Sequence, residues 1–116
     1  MRGDAIDALL DLLEFCEEIV LFAAGKDSGD DDLERMRYLA IERLFELVGE
    51  SLNRAIKVEP EIEKMFPDTR QVIGMRNRIA HEYDTVDEET IWDTAFNDIP
   101  GVIREVQEIL DVTRES

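Results

Sequence analysis

The residues best suited to chemistry in this sequence lie together between Arg76 and Tyr83. This segment contains the only histidine of the chain, His81, together with Arg76 and Arg78. Because imidazole is the side chain whose ordinary pKa lies near neutrality, His81 is the clearest carrier for proton transfer at pH 7. An arginine fork suits a phosphate group and its developing negative charge. A lone histidine near a helix end is also compatible with a capping or surface role.

The spacing of Arg76 and His81 sets a condition on any site that they share. The two residues are five positions apart, which places them about 140° apart around a continuous helix. They cannot then reach one phosphate from the same helix. Either the helix ends near Ala80 and His81 turns toward Arg76, or the site forms across the two-fold axis of a homodimer. We prefer the dimer because it supplies two imidazoles, one as base and one as acid.

The elements that must position this segment begin with a helix predicted between Asp4 and Ala24, which Gly25 is placed to terminate. Acidic residues mark one solvated stripe of this helix. Two apolar rows cover much of the remaining surface: Ile6, Leu9, Leu13, Cys16 and Val20 form one, and Ala8, Leu12, Phe15, Ile19 and Phe22 the other. One neighbouring helix cannot cover both rows, so the helix is either central in the domain or part of a subunit interface. Cys16 is expected to be a buried, inert thiol.

A second helix is predicted from about Leu33 to Ile56, followed by a helical turn at Glu61–Phe66 and a third helix from Arg70 to about Ala80. The core row predicted for the second helix consists of Met36, Ala40, Leu44 and Leu47. Gly49 interrupts this helix and is expected to allow a close helix crossing.

The last helix keeps its apolar spacing through a proline. Its apolar positions are Trp92, Phe96, Ile99, Ile103, Val106 and Leu110. Unbroken spacing predicts one long helix kinked at Pro100, with Trp92 and Phe96 in the core. No strand pattern is present, so we predict a single all-α domain over residues 1–116, a bundle of four main helices.

The charge of the chain limits its partners. It has 29 acidic and 13 basic residues, for a formal net charge of −16, and such a surface repels a polyanion. Either the partner is not nucleic acid, or a local basic site is embedded in a generally acidic surface of the kind found in high-salt cytoplasms. No apolar run approaches the ~18 residues of a membrane span, and no secretion signal is evident. We therefore expect a cytoplasmic protein with no membrane partner.

The same residues carry a resemblance to a known family. Several parts of the chain are similar to the HepT group of HEPN-domain proteins. They are the stretch from Ile73 to Tyr83, the pairs Val86-Asp87 and Ile91-Trp92, the segment Asn97–Pro100 and the upstream helix with Gly49-Glu50. The family pattern is an arginine, an adjacent polar residue, three further residues, a histidine, one residue and a tyrosine. Its positions are occupied here by Arg76, Asn77, His81 and Tyr83.

This resemblance implies a dimeric helical bundle that cleaves RNA without a metal or another cofactor. It implies a toxin of a toxin–antitoxin pair, whose partner is a minimal nucleotidyltransferase antitoxin. Arg76 and His81 would be catalytic, and attack by the 2′-hydroxyl would leave a cyclic phosphate. The resemblance also implies that Tyr83 accepts AMP from the antitoxin. The spacing of four residues places Asn77 on the face of His81, which it would orient, and Glu50 is expected to have a structural or supporting role.

Other roles stay open for these residues. Arg76 could pair with Glu50, Tyr83 could belong to the core, and Arg78 could contact RNA or a partner. The chain could instead be a non-catalytic helical module that binds the nucleotidyltransferase, since an acidic surface suits protein binding. A weaker alternative is a nucleotide-binding domain in which Arg76 and Arg78 hold a phosphate.

Overall fold

The computed structural model describes residues 1–65, 74 and 88–115. Five helices account for nearly all of them: α1 (Gly3–Ala23), α2 (Asp31–Val58), α3 (Ile62–Met65), α4 (Glu88–Asn97) and α5 (Ile99–Glu115). These described ranges contain no strand, and the all-α prediction is confirmed. The third helix predicted from Arg70 to Ala80 lies outside the described residues except for Gly74, which is helical. No described helix is both long and apolar enough to cross a membrane.

Helix α1 occupies the central position that its two apolar rows allow. It packs against α2 on one side and against α4 and α5 on another. Its buried residues are Ala5, Ala8, Leu9, Leu12, Cys16, Ile19 and Ala23. Asp7, Glu14 and Glu18 of the predicted acidic stripe are exposed. The central-helix alternative is therefore shown, while the subunit-interface alternative stays a prediction.

Gly25 is not the glycine cap of α1 that the sequence predicts. The helix ends at Ala23, and Gly25 does not adopt the left-handed conformation of a glycine cap; positive φ occurs instead at Asp27 (65°) and Gly29 (88°). The Arg37 side chain fills the space that a Cβ on Gly25 would need. Arg37 Nη1 also donates a hydrogen bond to the Gly25 carbonyl, at 2.8 Å. Gly25 is thus a close-approach residue that ties the loop to α2.

Helix α2 begins two residues before the predicted start because Asp30 caps it. The Asp30 carboxylate accepts a hydrogen bond from the Leu33 backbone N–H at 3.1 Å, the usual way of satisfying a free donor at a helix start. The large buried residues of this helix are Tyr38, Ile41, Leu44, Phe45, Val48 and Leu52. Gly49 is also buried, as expected of a crossing residue.

The assignment of one residue to the predicted core row of α2 is wrong. Met36 is 65% exposed, although Leu44 in the same row is buried. Ala40, between them, is partly buried, so the exposure of this row increases from Leu44 toward the start of the helix. Periodicity identifies the apolar row, but the arrangement of the neighbours decides how much of that row is buried.

Helices α4 and α5 form the long bent helix predicted around Pro100. Only Asp98 separates them, and the helical hydrogen bonds continue across it from Asp98 N to Thr94 O (2.9 Å) and from Val102 N to Asp98 O (3.2 Å). Pro100 lacks the N–H that would bond to Phe96, which accounts for the bend. Trp92 is buried as predicted, but Phe96 is 47% exposed. The Phe96 ring stacks on Trp92 at 6.4 Å, but its exposure makes its assignment to the core wrong.

Candidate functional site

The predicted catalytic segment lies between two described helices. Arg76, Asn77, Arg78, His81 and Tyr83 all fall outside the described residues, so their roles stay predictions. The described chain leads into this segment at the end of α3 and resumes at the start of α4. The structure shows how these two flanking helices are anchored.

Helix α3 is fixed to the end of α2. Ile62 is completely buried, and its N–H donates to Glu59 O at 3.0 Å. Glu59 in turn caps α2 by donating its N–H to Ala55 O at 2.8 Å, and its carboxylate accepts from the Arg2 backbone N–H at 3.0 Å. The chain therefore leaves the C-terminal end of α2 in a defined direction before the motif begins.

Helix α4 is fixed near the opposite end of α2. The rings of Trp92 and Tyr38 lie 6.2 Å apart, and Lys26 Nζ lies 5.7 Å from the centre of the Trp92 ring. At a rise of 1.5 Å per residue, Tyr38 and Glu59 are separated by roughly 30 Å along α2. The two anchors of the motif segment thus lie at different ends of α2.

Glu50 is the one predicted site residue that the structure describes. It lies on the exposed side of α2, between the buried Gly49 and the buried Ser51. It forms no hydrogen bond or ion pair with any other residue of the described ranges. The Ser51 hydroxyl accepts a hydrogen bond from Arg54 at 2.9 Å. Glu50 is therefore available to a partner such as Arg76, and that pairing stays a prediction.

The described surface is unevenly charged. Helix α1 carries six acidic residues and no lysine or arginine. The acids are Asp4, Asp7, Asp11, Glu14, Glu17 and Glu18. Helix α2 exposes four basic residues, which are Arg35, Arg43, Arg54 and Lys57. Two of them form exposed ion pairs, Arg43 with Glu46 at 2.8 Å and Arg54 with Asp11 at 3.3 Å. Because α2 mixes basic and acidic residues whereas α1 carries acids alone, a polyanion is repelled less strongly by α2 than by α1.

The prediction that Cys16 is buried is confirmed. Cys16 is completely buried, and this burial, together with the nearby charge of Glu17, raises the pKa of the thiol from 9.0 to about 12. The thiol therefore stays protonated at neutral pH and is a poor nucleophile. Within the residues described, no group of His, Cys, Asp and Glu side chains is arranged to hold a metal ion.

The raised pKa of Cys16 predicts a loss of stability in alkali. In the unfolded chain the thiol ionises near pH 9, whereas in the folded protein it resists ionisation up to about pH 12. The stabilising contribution is fully present below pH 9 and is lost as the pH rises through this window. Urea unfolding between pH 8 and pH 10.5 should show a steeper fall in the free energy of unfolding for the parent than for Cys16→Ala. Equal slopes would contradict the burial of a protonated thiol.

Comparison with known proteins identifies the family. A family model described as ribonuclease HepT-like matches residues 12–109. A protein of Methanocaldococcus jannaschii that is provisionally named an RNase is 28% identical over 104 residues, which cover 88% of this chain and 84% of the relative. A provisionally named ribonuclease HepT of Thermococcus cleftensis is 26% identical over 104 residues, covering 88% of this chain and 92% of the relative. No solved structure matches the chain significantly. With the family model spanning most of its length, the chain belongs to the HepT-like ribonuclease family.

Proposed function

We propose that this protein is the toxin of a toxin–antitoxin pair and cuts RNA internally without a metal ion. The observation that carries the proposal is the family match over residues 12–109, which spans the complete pattern of Arg76, Asn77, His81 and Tyr83. The ribonuclease names of the matching relatives support the same activity.

The proposed chemistry assigns one task to each polar residue of the motif. His81 takes the proton of the 2′-hydroxyl or returns one to the leaving 5′-oxygen. Arg76 binds the scissile phosphate and stabilises the charge that builds on it. The 2′-oxygen forms a bond to phosphorus while the 5′-oxygen bond breaks, which leaves a cyclic phosphate. Asn77 orients His81 from one helical turn away.

A homodimer completes the proposed site. Two copies of the motif that meet across a two-fold axis overcome the ~140° separation of Arg76 and His81 on one helix. The exposed Glu50 supports the site by pairing with Arg76. The cognate partner is a minimal nucleotidyltransferase antitoxin, which neutralises the toxin by transferring AMP to Tyr83, by binding it, or by both.

A second candidate function is a non-catalytic module that binds this nucleotidyltransferase. The observation that favours it is the charge of the chain, −16, together with the six acidic residues of α1, a helix that carries no lysine or arginine. Such a surface suits a basic protein partner better than it suits RNA.

The test uses purified protein that is free of partner and confirmed as unmodified by intact mass. We expect it to cleave total cellular RNA in the presence of EDTA, with products that end in a cyclic phosphate. A substrate with a single 2′-deoxynucleotide at the cleavage position should resist, because the attacking hydroxyl is missing. Cleavage that stops with EDTA would contradict the metal-independent mechanism. Absence of cleavage over a range of salt concentrations would leave the binding module as the function.

A further inference from the structure

Helix α1 has an exposed row of two leucines and two glutamates, which we name the α1 ridge: Leu10, Glu14, Glu17 and Leu21. Their spacing of four, three and four residues places them on one face of the helix. Leu21 is 71% exposed and Leu10 is 38% exposed. At 1.5 Å per residue, these two leucines lie about 16 Å apart along the axis. The ridge therefore has an apolar residue at each end and two glutamates between them.

The apolar ends of the ridge extend onto neighbouring residues. Val20, next to Leu21, is 38% exposed. At the other end Leu10 and the half-buried Leu13 line a shallow groove together with Leu110 and Asp111 of α5. A single exposed leucine on a protein surface needs no explanation, but two apolar ends on one rigid helix form a surface that a partner can cover.

The charge of α1 decides which kind of partner fits. The helix carries six acids and no basic residue, so RNA and an anionic membrane are repelled from it. A second copy of the chain is disfavoured for the same reason, because two α1 ridges packed face to face would bring four glutamates together. A partner must supply positive charge between its apolar contacts, since burying Glu14 and Glu17 without a counter-charge is costly.

We infer that the α1 ridge docks a helical segment of another protein. This segment has two apolar side chains about 16 Å apart, with lysine or arginine between them, and it pairs with Glu14 and Glu17 while covering Leu10 and Leu21. The docking surface lies on α1, outside the sequence motif of the proposed RNA site. It does not depend on RNA cleavage and holds for either of the two functions above.

The test measures binding of a synthetic helical peptide that presents leucine, lysine, lysine and leucine on one face with the same spacing. The parent protein should bind this peptide with a dissociation constant that rises with salt. Leu21→Ser and the double change Glu14→Gln with Glu17→Gln should each weaken binding by about tenfold or more, the range of a central interface residue. A peptide with glutamates in place of the lysines should not bind.

Matched controls separate the ridge from general attraction to an acidic protein. Met36 is 65% exposed on α2, so Met36→Ser removes a comparable exposed apolar side chain elsewhere. Glu63 and Glu108 are exposed on other helices, and changing both to glutamine removes the same charge as the ridge variant. These controls should bind as tightly as the parent. Equal weakening in ridge and control variants, or no binding by the parent, would overturn the proposal.

The oligomeric state provides an independent check. Sedimentation of the parent and of Leu21→Ser should show the same assembly, because the ridge is not expected to contact a second copy. A dimer that Leu21→Ser converts to a monomer would assign the ridge to the homodimer and overturn the proposal. RNA cleavage should be unchanged in Leu21→Ser, so failure of the docking proposal and failure of the proposed function are distinguishable.

Discussion

Replacing His81 with alanine should lower the rate of RNA cleavage by roughly 10²–10⁴, the contribution of a well-placed general acid or base. No other histidine exists in the chain to take over proton transfer near neutral pH. The measurement is cleavage of a defined RNA in EDTA under single-turnover conditions, so that product release does not hide the chemical step. Thermal unfolding of the variant should match that of the parent if the loss is chemical.

A matched substitution controls for nonspecific effects on this assay. Glu108 is exposed on α5, and Glu108→Gln should cleave at the rate of the parent. Activity of His81→Ala within a few-fold of the parent would remove His81 from the mechanism. The non-catalytic module would then be the better account of the protein.

Mixing two inactive variants extends this experiment to the geometry of the site. Arg76→Ala retains His81, and His81→Ala retains Arg76. If one site draws Arg76 from one protomer and His81 from its partner, a mixed dimer recovers one Arg76 and one His81, and with them the part of the activity that does not need the second imidazole. If each protomer builds its own site, the mixture stays inactive, and the helix must end before His81.

Replacing Phe45 with alanine should cost about 3–5 kcal/mol of stability, the usual cost of truncating a buried aromatic side chain. Phe45 is completely buried on α2, the helix that α1 packs against. Since the whole free energy of unfolding of a domain is about 5–15 kcal/mol, this one change should remove a large share of the stability. Urea unfolding followed by circular dichroism measures the loss.

Phe96 supplies a matched control for the change at Phe45. It is 47% exposed and contacts Trp92 at a ring distance of 6.4 Å. Phe96→Ala should therefore cost only about 1 kcal/mol, the size of a partly exposed aromatic contact. Equal losses at the two positions would show that the exposed side of Phe96 is covered in solution.

The sequence by itself determined the local structure. The limits of α1 and α2 follow from apolar periodicity and from polar breaks, because these depend on residues close together in the chain. The predicted end of α1 at Ala24 differs by one residue from the observed Ala23, and the short helix near Ile62 and the bend near Pro100 are as predicted. The Arg76–Tyr83 motif, on which the family resemblance rests, is likewise a local pattern.

Only the tertiary structure decided which apolar residues are buried and which are exposed. Met36 and Phe96 keep the spacing of core residues, yet both are largely exposed, because the position of the neighbouring helices sets the width of the buried arc. Gly25 matches the sequence signal of a helix cap, but its actual role depends on Arg37, which is twelve residues away and approaches only in the folded chain. The α1 ridge likewise depends on tertiary contacts. Leu10 and Leu21 belong to neither of the two apolar rows predicted for α1, and only the packing of α1 against α2, α4 and α5 shows that they face outward.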